Sequence, residues 1–249
     1  MKKILIGTGV LILLLALGIG SMFSVMPKKG PPLVELPGSI QGVLCRFSYS
    51  WIVPSATGVV LVDAGLDEAA PDIIAALKRK GLGPESVRGV LITHGHADHF
   101  GGAAAFPNAR VFAHSADIPF IRGEKKPEGV FGSIFSKFSP RKKPPANLEP
   151  LPASATITVD GIAFGIIGLP GHSPGSVAYL LGDILFSGDA LMGKGDSVMV
   201  PNSFTSSNPE QSRQVLKTLL NVPFAIIANG HTGAVYDGRK KVEAYLKNQ

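Results

Sequence analysis

The chain has 249 residues, 45% of them hydrophobic and 17% charged, a balance that excludes intrinsic disorder and allows one large core or two half-cores packed together. Its formal charge of +6 raises nucleic acid or an anionic membrane surface as partners. Cys45 is the only cysteine, which excludes an intrachain disulfide and a cysteine metal cluster and leaves it as a small apolar residue in a strand.

Lys2 and Lys3 open the chain and are followed by an uncharged run of apolar and small residues from Ile4 to Met26. As a helix, at about 1.5 Å per residue, such a run crosses a hydrocarbon core of about 30 Å, so residues 1–26 predict a membrane anchor. A signal peptide cut at Ser21, behind Gly18 and Gly20, is the alternative, but the run exceeds the roughly 7–15 apolar residues of a usual signal core. Lysines flank the run on both sides, and the reading adopted places the domain outside the cytoplasmic membrane, with secretion after cleavage as the alternative. Residues 27–38, rich in proline and glycine, read as an extended linker, and residues 39–249 as one folded domain.

Within that domain the pattern predicts strand, strand, helix, strand, twice over. Val59 to Val62 is a short apolar strand ending at Asp63, a helix covers Glu68 to Lys80 up to Gly81, and Val87 to Thr93 is the next strand. The second half pairs Thr156–Val159 with Ile162–Leu169 across Asp160-Gly161, and Ala178–Leu181 with Ile184–Ser187 across Gly182-Asp183. A helix capped by Asn208, with Pro209 in its first turn, runs to about Leu220; a strand from Phe224 to Ala228 and a last helix from Tyr236 to Lys247 follow. Two β-rich halves with helices outside give an α/β, four-layer sandwich of helix, sheet, sheet and helix.

Five of the six histidines stand just past predicted strand ends: His94, His96 and His99 in THGHADH, His172 in GHSPGS and His231 in NGH, with Asp98 and Asp189 beside them. Imidazole and carboxylate are the ligands that borderline and hard divalent ions prefer, and so many of them in loops point to a two-metal hydrolytic site. THGHADHFGG, preceded by VLVDAG and followed by GHSPGS, FSGD and NGH, resembles the metallo-β-lactamase fold superfamily from about Ser39 to the end of the chain.

That resemblance implies His94, His96 and His172 on one divalent ion, Asp98, His99 and His231 on a second, and Asp189 bridging the two. Zinc is the preferred ion, with iron and manganese as alternatives. The resemblance also implies that Asp63 supports a metal-bound histidine from behind, and that Asp98 holds or accepts the proton of the attacking water. The expected reaction is hydrolysis of a small ester, lactone or thioester by metal-bound hydroxide. The pattern is closer to the glyoxalase II and lactonase branches than to the β-lactamases, which replace the bridging aspartate; the glutathione-binding region of glyoxalase II is not expected after His231. The alternatives are a phosphodiesterase or nuclease, a β-lactamase, and a mononuclear iron enzyme like the persulfide dioxygenases. The export segment weighs against nucleic acid as a partner, and the oligomeric state is left open.

Three further readings complete the sequence. His114 belongs to no motif and is expected to pack or lie on the rim. Tyr49 and Tyr179 are expected in the core. Residues 115–150 read as an insertion in which Phe131, Ile134, Phe135 and Phe138 recur at helical spacing, flanked by lysines and arginines: either these aromatics pack onto the domain beneath a solvated charged rim, or the segment is a lid or a membrane-dipping helix.

Overall fold

In the computed structural model, which describes residues 30–126, 142–152 and 155–248, the chain builds two large sheets. The first runs in chain order through β1 (Leu33–Leu36), β2 (Ile40–Cys45), β3 (Ser48–Pro54), β4 (Val59–Val62), β5 (Val87–Leu91), β6 (Arg110–Ala113) and β7 (Leu148–Pro150). Strands β1 to β4 are antiparallel; β4 to β7 are parallel, with helix α1 (Pro71–Arg79) crossing between β4 and β5. Two one-turn helices, α2 (Ala97–Phe100) and α3 (Ile118–Ile121), follow β5 and β6.

The second sheet contains β8 (Thr156–Val159), β9 (Ile162–Gly168), β10 (Val177–Leu181), β11 (Ile184–Gly188), β14 (Ile226–Asn229) and β15 (Ala234–Val235), in the spatial order β15-β14-β11-β10-β9-β8. Between β11 and β14 lie the hairpin β12 (Met192–Lys194) and β13 (Ser197–Met199) and helix α4 (Pro209–Val215), which tightens into a 3₁₀ turn over Leu216–Asn221. Helix α5 (Gly238–Lys247) closes the chain.

Strand β4 shows how the layers form. All four of its residues are buried, with Val59 and Leu61 on one face and Val60 and Val62 on the other, because both faces of its sheet are covered. On the outer face Ile73, Ala76 and Leu77 of α1 pack against Leu61 and Val90. Between the sheets Trp51, Val60 and Phe112 meet Phe164, Tyr179 and Phe186, with the Trp51 and Phe186 rings edge to face at 6.1 Å. Gly42 pairs with Trp51, and any Cβ at 42 would enter the indole. Beyond the second sheet, Leu185 and Ile227 pack against Leu216, Leu219 and Val242.

Several element boundaries differ from the sequence expectation, each for a local reason. Helix α1 begins at Pro71, not Glu68, because Ala70 is left-handed at φ 45° and proline fits the first helical position. Strand β5 ends its ladder at Leu91; the Thr93 carbonyl instead accepts from Val177 N at 2.9 Å, joining the two sheets at the end that carries the histidines. Helix α5 starts at Gly238 rather than Tyr236, because β15 and its pairing with β14 occupy the chain up to Val235. The short strands β1, β7 and β15 and the β12–β13 hairpin were not expected from the pattern.

The described ends of the 115–150 segment belong to the domain, since α3 follows β6 and β7 pairs with β6, so its integrated portion is larger than an insertion implies. The helical pattern over Phe131 to Phe138 and the apolar run of residues 4–26 lie outside the described residues. Among the described residues no helix is long and apolar enough to cross a membrane.

At the end of the sheets away from the histidines, Asp160 in the β8–β9 turn accepts from Ser55 Oγ at 2.7 Å, Thr57 N at 2.8 Å and Thr57 Oγ1 at 2.9 Å. The Ser55 hydroxyl first, and then the Thr57 amide, hold its carboxyl below the usual aspartate range. A depressed folded-state value stabilises the protein above the unfolded-state value, and that contribution disappears as pH falls through the folded one. Asp160→Asn, which tolerates the left-handed backbone at φ 44°, is therefore expected to unfold at lower denaturant than the parent at pH 7 and to match it only once pH has fallen below the depressed folded-state value. Denaturant titrations across pH check this; a difference that stays constant with pH contradicts the ionic clamp.

Candidate metal centre

Each histidine and aspartate of the sequence pattern is delivered by the C-terminal end of a strand. Asp63 follows β4, the turn Thr93 to His96 follows β5, His172 stands in the loop between β9 and β10, Asp189 follows β11 and His231 follows β14. In α/β sheets this is the edge where chains diverge and a ligand finds room. Helix α2 begins directly after His96, whose backbone is still extended, so Asp98 and His99 leave from a helical turn and His94 and His96 from extended chain, and the His94 and His99 rings come within 4.1 Å of each other. Gly102 allows this turn to lie against the neighbouring loop, because a Cβ there would strike the Ala64 carbonyl.

His94 Nε2 lies 3.0 Å from His96 Nδ1 and 3.1 Å from His172 Nε2. Burial first, and then the neighbouring imidazoles, push His94 well down; burial pushes His96 down as well, and His172 to about 3. The three rings are therefore neutral near pH 7. Thr93 Oγ1 contacts Asp63 Oδ2 at 2.8 Å and His94 Nδ1 at 3.2 Å. With the hydroxyl proton given to Asp63, the hydroxyl oxygen accepts from His94 Nδ1–H and leaves Nε2 as a lone pair. That lone pair can accept from His96 Nδ1–H or His172 Nε2–H, and with those protons on the far ring nitrogens the three atoms face one point as lone pairs, as ligands of a cation do.

The second group has the opposite electrostatics. Asp63, at 1% exposure, takes Thr93 N at 2.8 Å and His99 Nδ1 at 2.8 Å, which fixes the proton of His99 on Nδ1 and turns Nε2 inward. That Nε2 stands 3.3 Å from Asp189 Oδ1 and 3.7 Å from Asp98 Oδ2, yet both it and Asp189 Oδ1 are buried without a hydrogen-bond partner. His231 donates Nδ1–H to the Phe47 carbonyl at 2.7 Å, so its Nε2 faces Asp189 Oδ2 at 2.9 Å and Asp98 Oδ2 at 3.8 Å. Burial works against charging both rings, but Asp189 and the other carboxylates outweigh it, raising His99 well up and His231 to about 9. Burial also opposes ionisation of Asp189, and His231 and His99 reverse that, holding its carboxyl well down.

Three donor groups can each hold a cation, with their atoms within 4.8 Å of one another: His94, His96 and His172; His94, His99 and Asp189; and Asp98, His99 and His231. The convergent imidazole nitrogens of the first, and His99 Nε2 and Asp189 Oδ1 of the second, buried without a hydrogen-bond partner, are a donor set that fits a divalent metal. The structure thus brings together all seven residues expected as ligands and sets Asp63 behind His99. His114 stays outside, its Nδ1 accepting from Ala116 N at 3.2 Å. Tyr49 and Tyr179 are fully buried and spend their hydroxyls on the carbonyls of Pro31 and Ile92.

One residue of this region escaped the sequence reading. Asp117, completely buried, accepts from Gly95 N at 2.7 Å, Ser173 Oγ at 2.5 Å and Gly175 N at 2.7 Å. It ties the His94–His96 turn of the first sheet to the His172 loop of the second, and its charge is felt at His96. It lies three residues past His114 in an unremarkable loop, with no spacing to mark it. Asn229 plays the corresponding part for His231, its Oδ1 taking the amides of His231 at 3.0 Å and Thr232 at 2.7 Å. Asp117→Ala is expected to weaken zinc binding by about 10–100-fold without unfolding the domain. Chelator competition with circular dichroism measures this; parent-like affinity in a folded variant rules the tie out.

The family model described as the metallo-beta-lactamase superfamily matches residues 43–231. A hydroxyacylglutathione hydrolase of Xanthomonas campestris pv. campestris (strain B100) is 28% identical over 186 residues, covering 74% of this chain and 60% of that protein. The chain thus spans about 60% of the length of that relative. Among solved structures, a metallo-beta-lactamase family protein from Thermus thermophilus superposes with a TM-score of 0.66 at 26% identity, over 87% of this chain and 77% of that one. The Rm3 metallo-beta-lactamase superposes with a TM-score of 0.68 at 21% identity, over 88% and 92%, and so shares the fold.

Proposed function

Because this chain belongs to the metallo-beta-lactamase superfamily, we propose that it is a dinuclear metal-dependent hydrolase of a small ester, lactone or thioester. The observation that carries the reading is the convergence of seven imidazole and carboxylate side chains, in three overlapping groups that could each hold a cation, where strand ends of the two sheets meet. His94, His96 and His172 would hold the first ion, and Asp98, His99 and His231 the second. Asp189 would bridge them, since its carboxylate lies within 3.6 Å of His172 Nε2 and 2.9 Å of His231 Nε2. The relative named hydroxyacylglutathione hydrolase supports a thioester within this class.

Two divalent ions held there supply a water acidified toward neutrality and an electrophile for the substrate carbonyl. The chain does the rest. Asp63 and Thr93 fix the tautomers of His99 and His94, so the ligands are oriented before substrate arrives. Asp98 is the carboxylate best placed to take a proton, its side chain 27% exposed against 10% for Asp189 and 2% for Asp63. Gly230 leaves Asp189 its space, because a Cβ there would strike Oδ1.

We also take the uncharged segment from Ile4 to Met26 as a membrane anchor, a reading its length and lack of charge support, and we place the domain outside the cytoplasmic membrane as part of the same proposal. The test of the hydrolase reading is a substrate panel with zinc-loaded protein. Thioester or lactone cleavage is expected to exceed β-lactam and phosphodiester cleavage, with Asp98→Ala lowering kcat/KM by about 10²–10⁴-fold and His96→Ala abolishing turnover in a folded protein. Preferential phosphodiester or β-lactam cleavage, or full activity in Asp98→Ala, overturns it.

A further inference from the structure

The first described residues are fastened to the metal edge itself. Gly30 N donates to the His231 carbonyl at 3.5 Å, the Pro31 carbonyl accepts from Tyr49 Oη, and the Pro32 carbonyl accepts from Leu44 N at 3.0 Å. A Cβ at Gly30 would run into the Thr232 carbonyl and the Tyr49 hydroxyl, so the chain lies hard against the turn that carries His231. Only Pro27, Lys28 and Lys29 separate Gly30 from Met26, the last residue of the uncharged run. Four residue steps at no more than about 3.6 Å each reach about 14 Å.

The surface around this point has the character of a lipid contact. Of the three large hydrophobic residues exposed among the described residues, Leu33 at 41% and Phe47 at 45% flank it; Tyr236 is the third. Leu33 pairs with Val43 in β1–β2, and Phe47 stands in the β2–β3 turn with its carbonyl on His231. Arg46 lies beside the Phe47 ring, its guanidinium carbon 5.8 Å from the centroid, and Lys28 and Lys29 precede Gly30. Aromatic and aliphatic side chains with basic neighbours are what a headgroup region accepts.

We propose that the metal edge opens onto the bilayer surface and that the substrate is an amphiphilic ester or thioester presented from the membrane. The proposal rests on the anchor and hydrolase readings above. With the edge held within about 14 Å of the end of the anchor, a lipid-like molecule can raise its headgroup-level carbonyl to the metals while its tail stays in the bilayer.

The test uses the full chain in vesicles of mixed zwitterionic and anionic phospholipid, with a fluorophore placed by Phe47→Cys or by Lys80→Cys. Lys80 is exposed, just past the end of α1 and on the side from which β5 starts, away from the metal edge. Cys45 is buried, and burial pushes its thiol up to about 12, so it does not compete for label. Lipids spin-labelled at the headgroup are expected to quench the label at 47 at least threefold more than that at 80. Equal quenching, stronger quenching at 80, no quenching, or recovery of a soluble form lacking the anchor overturns the proposal.

A 20-residue glycine-serine spacer inserted between Lys29 and Gly30 adds a mean reach of about 25 Å. It is expected to lower hydrolysis of a vesicle-borne long-chain thioester at least fivefold while leaving a soluble short-chain thioester unaffected. Equal rates on the long-chain substrate with and without the spacer overturn the substrate class. Quenching needs no turnover, so quenching at 47 without hydrolysis of either thioester counts against the hydrolase reading and supports the orientation.

Discussion

The constraint on which this structure turns is the mutual closeness of imidazole and carboxylate donors where the ends of the two sheets meet. Three neutral imidazole nitrogens face each other at 3.0 and 3.1 Å, and two carboxylates face two further imidazoles within 3.8 Å. The one lone pair of His94 Nε2 can accept from His96 Nδ1–H or from His172 Nε2–H; in the tautomers that carry those protons elsewhere, the three nitrogens present their lone pairs to a common point, the arrangement a cation takes. Such a cluster stays in place because the surrounding fold holds it, and it is the kind of donor set that a divalent cation binds.

The fold supplies that hold from outside the ligand set. Asp63 and Thr93 form a hydrogen-bonded pair that sets two histidine tautomers at once, and Asp117 and Asn229 shape the turns that carry three more histidines. All four are buried in the described structure. Contacts of these residues also join the two halves, because Asp117 of the first sheet's half takes Ser173 Oγ and Gly175 N and Thr93 O takes Val177 N. The metal edge is therefore also the seam of the two halves, and binding at the edge is coupled to the docking of one half on the other.

Much of this was legible in the sequence because the chemistry is concentrated in short motifs. THGHADH, GHSPGS and NGH each stand after an apolar run, and an apolar run that ends in polar ligands marks a strand end whatever its length. The hairpins across Asp160-Gly161 and Gly182-Asp183 were legible because left-handed positions select such residues. What the sequence hid was long-range. Asp117 matters through donors 22, 56 and 58 residues away, and edge strands such as β1, β7 and β15 owe their existence to a neighbouring strand rather than to their own pattern. The starts of α1 and α5 depend on left-handed Ala70 and Asp237, conformations that neither composition nor periodicity announces.

The central claim is that the two adjoining donor sets form a dinuclear centre, and stoichiometric titration of metal-free protein with zinc, read by calorimetry and elemental analysis, addresses it most directly. The account predicts two ions per chain, with Asp189→Ala impairing the retention of both and Asp98→Ala impairing mainly the second. A single ion per chain under saturating zinc, or native protein that consistently carries one iron, would contradict it.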